Sequence, residues 1–371
     1  MQEMQELSIF DFLPDEEAEK FRPQKSTDWK WTFADYPKEK NGLKVFSCFA
    51  CGGGSTMGYK LAGCDVLGCC EIDPKMNEVY VKNHNPKHNF VMDIRKFNQI
   101  PNDELPAELF NLDILDGSPP CTTFSMAGKR EETWGKKKKF REGQAAQTLD
   151  DLSFVFIETV AKLKPRCVIM ENVEGLIRGE AWSYVQRIYK EFKDIGYQVK
   201  HWLLKGQHMG IPQKRHRVFF VALREDVQFN IESLDMSFNY EPVKYREFKT
   251  EHECVASGKI SDAIKQIKGK ESIGDAMYRI YGVHSALTHR LARLDDVYPT
   301  ATAGHRDMWT ESGNHPSIED MITAQTFPQD YDFGERKYST VEYICGMSVP
   351  PLMIKRIVLR LIENGLFSYK K

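Results

Sequence analysis

No apolar stretch in these 371 residues approaches the roughly 20 needed to cross a bilayer, and no signal-peptide pattern opens the chain. A protein of the cytoplasm, with no membrane contact, is therefore expected. There is no internal repeat, which argues against solenoids and propellers. Nine cysteines, an odd count in a long chain without a secretion signal, argue against a disulfide framework and for reduced thiols. Metal-ligand spacing is also wanting. Cys48-x-x-Cys51 and the adjacent Cys69-Cys70 have no histidine close by at ligand spacing, so no metal is expected. Nor does one sign of charge dominate, since the formal net charge is only -2.

That balance conceals an asymmetry. Residues 1–20 carry seven acids against one base, and without them the chain has 50 bases against 46 acids. Between Cys121 and Ala145 seven bases face three acids. Such a loop is either a solvated charge run or a seat for a polyanion. Apolar content of 41% and charged content of 28% are those of an ordinary globular protein.

Residues 1–42 are polar and without clear period, and read as an arm. From residue 43 to 223 short apolar runs alternate with helical patterns: strands KVFSCFA (44–50), VLGCCEI (66–72), DILDG (113–117), CVIMENV (167–173) and RVFFVAL (217–223). Strands alternating with helices predict an α/β fold with a doubly wound, mostly parallel sheet. From 224 to 316 the period loosens, which reads as a smaller, irregular domain. Residues 317–371 return to the first domain with an apolar helix at 350–366.

Chemistry gathers at strand ends. Cys51-Gly52-Gly53-Gly54-Ser55 lies between the first strand and a helix, where glycines admit a ligand close to the backbone. It is not the G-x-G-x-x-G of dinucleotide sites. Glu71, 17 residues past Gly54, sits where an acid can hold ribose hydroxyls. Asp93 is a further strand-end acid, and the three features describe a nucleoside pocket. Cys121, behind two prolines, is either a small buried hydrophobe or a nucleophile on a stiff turn. Glu171 ends another strand. Gln213, Arg215 and Arg217 share one face in extended structure, and such a face is expected to meet carboxylates, phosphates or bases.

In this order, F-x-x-x-G-G-G, E-I-D, D-I, P-P-C-x-x-F-S, E-N-V, Q-x-R-x-R, F-P-x-D-Y and G-x-S-V-P resemble the DNA (cytosine-5)-methyltransferases over about residues 44–366. The resemblance implies an S-adenosylmethionine-dependent enzyme acting on cytosine in double-stranded DNA. Cys121 is then the nucleophile, Glu171 contacts the N3 edge of the base, and Arg217 supports the base with Arg215 nearby. Phe49, Gly53, Gly54, Glu71, Ile72, Asp93, Ile94, Pro120, Leu149, Ser348 and Val349 are implied to form the cofactor pocket. Ser125, Lys129, Arg130, Gln213, Thr300, His305 and Arg306 are the implied DNA contacts. Cys51, Thr122 and Met347 depart from the family's usual glycine, glutamine and asparagine.

A bacterial or phage enzyme acting as a monomer is expected, standing alone or beside a restriction endonuclease. The other readings are a tRNA cytosine-5 methyltransferase and a catalytically silent DNA-binding relative. Residues 6–10, Glu-Leu-Ser-Ile-Phe, are similar to the bacterial sliding-clamp-binding pentapeptide, or are an apolar patch on the arm.

Overall fold

The computed structural model describes residues 22–120, 151–286, 288–304 and 306–367. Seven strands form one sheet: β1 Lys44–Cys48, β2 Asp65–Glu71, β3 His88–Val91, β4 Ile114–Gly117, β5 Cys167–Val173, β6 Tyr197–Lys205 and β7 His216–Arg224. Their spatial order is β3-β2-β1-β4-β5-β7-β6. The first five run parallel, and β7 inserts antiparallel between β5 and β6. The sheet is thus doubly wound and mostly parallel. Strands β4 and β5 are buried almost throughout, as expected where helices cover both faces.

One face of the sheet meets helices α1 Gly54–Leu61 and α10 Pro351–Glu363, through Val45, Ile114, Ile169, Phe219, Ile357 and Leu361. Gly58 allows that packing, because a Cβ there would lie 2.4 Å from the Pro351 carbonyl oxygen. The other face meets α3 Ile94–Gln99, α4 Leu152–Leu163 and α5 Trp182–Asp194, through Phe46, Phe97, Phe156, Val168 and Phe192. Helix α2 Pro74–His84 follows β2.

Strand β6 and helix α5 have no counterpart in the sequence reading. β6 mixes Gln198, Lys200 and His201 with apolar residues at the sheet edge, so its face alternation is blurred. Helix α5 buries Val185, Ile188 and Phe192, a helical spacing that was there to be read.

Residues 224–316 hold little regular structure: α6 Lys259–Ile264, α7 Ile273–Tyr281, and the parallel strand pair β8 Arg290–Ala292 and β9 Met308–Thr310. They have small apolar clusters of their own, one of them around Met277 and Trp309. Helices α8 Ile318–Ala324 and α9 Tyr338–Met347 lead back to α10.

The described part of the arm, residues 22–42, is not free. Gln24 bridges Tyr240, Trp29 lies 5.9 Å from the Phe248 ring, and Trp31 Nε1 donates to the Thr326 carbonyl at 2.9 Å. Asp28 pairs with Arg356 at 2.6 Å. Residues 22–42 of the arm thus lie against the protein, with the Trp31 ring buried and the Trp29 ring half-buried. The clamp-like residues 6–10 lie outside the described residues.

Candidate active site

A cleft opens at the carboxyl edge of β1, β2 and β4. At such an edge short loops leave the strands while helix N-termini face outward, the usual seat of ligands in parallel sheets. β1 runs into a turn in which Phe49 and Cys51 both hold left-handed backbone, with φ 58° and 46°. Both side chains line the cleft. Two residues on, Gly53 has φ 83°, and a Cβ on it would lie 2.1 Å from His84 Nε2. A Cβ on Gly54 would lie 2.2 Å from the Val349 carbonyl oxygen.

Glu71 ends β2 and is buried at the cleft. Its Oε2 accepts from the Cys51 N–H at 2.7 Å and its Oε1 from the Asp73 N–H at 2.8 Å. Burial pushes its pKa up, against these two amides. Each oxygen keeps a further lone pair for a ligand hydroxyl. Asp93 caps α3, accepting from the Arg95 N–H at 2.9 Å. Phe49, Ile72, Met76, Met92 and Ile94 supply apolar wall. Burial pushes the Cys51 thiol up to about 12, so it lines the wall as a neutral group.

Of the residues implied for the cofactor, Phe49, Glu71, Ile72, Asp93, Ile94 and Pro120 line the cleft. Gly53, Gly54, Ser348 and Val349 are not among its lining residues. The glycine turn instead packs on 348–349, which brings Tyr343 and Met347 of α9 to the cleft. Leu149 lies outside the described residues. Sequence reasoning missed Cys70, Asp73, Met76, Met92, Ser118, Leu152 and Tyr343; Asp73, next to Ile72 in the E-I-D motif, was the one most open to discovery.

β4 ends at Gly117 and the chain passes through Pro119-Pro120 toward Cys121, which lies outside the described residues. Asn172 Nδ2 donates to the Pro119 carbonyl at 3.2 Å. That bond ties the loop before Cys121 to the end of β5, beside Glu171. The Glu171 Oε1 lies 2.7 Å from Arg217 Nε on the neighbouring β7, both side chains nearly buried. A buried carboxylate held by a guanidinium remains a strong hydrogen-bond acceptor in low dielectric.

Gln213 and Arg215 are placed otherwise than expected. Gln213 is fully buried; its Nε2 donates to the Ala324 carbonyl and Gln325 Oε1, and its Oε1 accepts from the Ala301 N–H. The Arg215 guanidinium, also buried, donates to the carbonyls of Ala301, Gly346 and Ser348 at 2.9–3.0 Å. Neither is open to DNA or a base. The shared face fails because Gln213 precedes the strand, in a bend, and only Arg217 reaches a carboxylate. Together they fasten the 298–301 loop and the 346–348 turn to the sheet.

The Thr300 hydroxyl donates to the Lys214 carbonyl and is half-buried. Arg306 is exposed, with its N–H donating to Glu342 Oε1 at 3.0 Å and its guanidinium 5.1 Å from the Tyr338 ring centre. Ser125, Lys129, Arg130 and His305 lie outside the described residues. Among the described residues no group of three or more His, Cys, Asp or Glu could hold a metal, and no helix is long and apolar enough to cross a membrane.

The family profile of C-5 cytosine-specific DNA methylases matches residues 43–363. The chain belongs to that family. It is 30% identical over 207 residues to Type II methyltransferase M.FnuDI of Fusobacterium nucleatum, covering 56% of this chain and 53% of the relative. It is 24% identical over 362 residues to Type II methyltransferase M1.HphI of Haemophilus parahaemolyticus, covering 87% and 88%. The chain thus spans about half the length of several curated relatives and most of one. Among solved structures, a DNMT2 variant of Spodoptera frugiperda superposes with TM-score 0.60 at 14% identity, over 86% of this chain and all of that one. A putative DNA modification methyltransferase encoded within an Escherichia coli prophage gives TM-score 0.56 at 18% identity, over 87% and 99%. At such identities the likeness is one of fold.

Proposed function

We propose that the protein transfers a methyl group from S-adenosylmethionine to C5 of a cytosine flipped out of double-stranded DNA, through a covalent bond between Cys121 and C6. The observation that carries this reading is the convergence of two sites on the end of β4. Pro120 lines the cleft, while Pro119 is tied by Asn172 to the strand that presents Glu171.

The cleft suits a nucleoside. Glu71 offers carboxylate lone pairs to ribose hydroxyls, Phe49 and Ile72 an apolar slot, and Asp93 with Ile94 an edge for the adenine. When bound, S-adenosylmethionine supplies an electrophilic methyl on sulfur.

C5 of cytosine is a weak nucleophile until a thiolate adds to C6. The Cys121 thiolate forms that bond while Glu171 gives its proton to N3, and Arg217 holds the carboxylate left behind. The ring is then an enamine whose C5 takes the methyl group. A base removes the C5 proton, the Cys121–C6 bond breaks, and N3 returns its proton to Glu171. A stacked base cannot be reached from this edge, so the cytosine leaves the duplex, at a cost of about a few kcal/mol.

The test is trapping on duplex DNA carrying 5-fluorocytosine, whose fluorine cannot leave as a proton does. A denaturation-resistant adduct is expected only with S-adenosylmethionine, and Cys121→Ser is expected to abolish both adduct and transfer, because a hydroxyl is far less ionised than a thiol. An adduct that persists in Cys121→Ser, or maps to Cys51 or Cys167, overturns the nucleophile. Tritium transfer to transfer RNA but not to DNA overturns the substrate.

A further inference from the structure

Residues 300–307 lead into β9 and carry the exposed Arg306. Arg290, at the start of β8, reaches both ends of that segment. At the near end its Nη1 donates to the Thr300 carbonyl and its Nη2 to the Thr302 hydroxyl at 2.6 Å. At the far end the same Nη2 donates to the Asp307 carboxylate, and the Arg290 N–H donates to the Asp307 carbonyl at 2.8 Å. Thr302 closes the ring, its Oγ1 donating to Asp307 Oδ1 at 3.2 Å.

The backbone between those ends is one that needs holding. Gly304 has φ 99° and Arg306 φ 45°, the latter in the left-handed region that a side chain disfavours. Such strain persists only where the surroundings over-determine it. Helix α9 supplies part of that: the Arg306 N–H donates to Glu342 Oε1 at 3.0 Å, and a Cβ on Gly346 would lie 2.2 Å from the Ala303 nitrogen. Arg290 and Asp307, an ion pair whose side chains are mostly covered, supply the rest.

The Arg290 guanidinium is committed to this task. Thr302 and Asp307 engage both Nη2 hydrogens, Thr300 engages Nη1, and Nε is buried. A planar fork can join two chain ends at once, which a lysine ammonium does not imitate. A reading side chain discriminates well only when its backbone is fixed, since each further loop conformation admits another base.

We propose that Arg290 is a positioning residue for target recognition: paired with Asp307, it holds residues 300–307 in the conformation that presents Arg306 to a base edge, and sharpens the choice of sequence without itself touching DNA. This rests on the reading of Arg306 as a DNA contact.

Hairpin duplexes randomised around one cytosine, methylated to low extent and read by bisulfite sequencing, give the preference at each position. Arg306→Ala is expected to lower the preference at one position about tenfold or more. Arg290→Lys and Asp307→Asn are each expected to lower it at that same position by about three- to tenfold, with the other positions kept within about twofold. In Arg290→Lys combined with Arg306→Ala the loss is expected to equal that of Arg306→Ala alone, because the brace then has nothing to place. Melting curves show which variants fold; should Arg290→Lys not, Asp307→Asn, which keeps the side chain's shape, carries the same combination with Arg306→Ala. A purely structural role for Arg290 slows transfer on every sequence alike and overturns the inference. A loss that adds in the combined variant, or one seen in Arg290→Lys and not in Asp307→Asn, makes Arg290 a direct contact and overturns it too. Preferences unchanged by Arg306→Ala instead overturn the reading on which it rests.

Discussion

The half-sheet around the cleft and the region 224–316 are built on opposite principles. Around the cleft, strands such as β4 and β5 are buried nearly throughout, and the chemistry sits in loops one to three residues beyond them. Within 224–316 strands are three residues long and helices six or nine, too short to stand alone. Apolar contact fastens its beginning, through Ile231, Leu234 and Met236, while further along the ties to the sheet are polar: the Gln213 amide and the Arg215 guanidinium reach into it, and Lys214 N–H donates to the Tyr298 carbonyl at 2.8 Å. A core of parallel strands can place a site by burial alone. A loop-rich domain needs buried hydrogen bonds to hold one arrangement among many.

The sharpest way to break this comparison is Arg215→Met. If the two regions were independent, losing the guanidinium would disturb 298–301 only. The Ala301 and Gly346 carbonyls would lose this donor, while Ser348 keeps that from Gln325, and destabilisation of about 2–3 kcal/mol or more is expected from the unmet acceptors. Weaker binding of both DNA and cofactor is expected with it, read by fluorescence anisotropy and calorimetry, because Met347 on the cleft lies between two of those carbonyls. An unaltered cofactor affinity in folded Arg215→Met would separate the regions.

Arg306→Ala tests the recognition side alone. Its exposed guanidinium is expected to read one base, so discrimination against a single-base variant of the target should fall by about 1–3 kcal/mol. Equal selectivity in a competition assay would return Arg306 to the role of a ring contact on Tyr338.

The smallest effect belongs to the cleft. Cys51 holds φ 46°, where a side chain costs about 1–2 kcal/mol relative to glycine. Cys51→Gly is expected to raise stability by about 1 kcal/mol in denaturant titration, with cofactor affinity kept because the Cys51 N–H still donates to Glu71. A loss of stability would mean that the thiol's packing outweighs the strain.

Much of the cleft was legible because its residues follow strands closely. Phe49, Glu71 and Asp93 each lie at or just past a run whose apolar pattern is plain, so finding the strand end finds the residue. The Q-x-R-x-R stretch shows the limit of that reasoning. Alternation assigned Gln213, Arg215 and Arg217 to one shared face, yet a bend at 213 and the return of the chain at 301, 324 and 346 buried the first two against backbone carbonyls and amides.

Local sequence therefore determined the order of strands and helices along most of the sheet, its mostly parallel character, and the acids and prolines at its carboxyl edge. Periodicity and turn chemistry act over a few residues and leave their mark there. Tertiary structure alone decided that Tyr343 and Met347 close a cleft begun at Phe49, and that Asn172 ties Pro119. Those relations join residues from about 50 to nearly 300 positions apart, and they follow from strand register and close packing, which no window of the sequence contains.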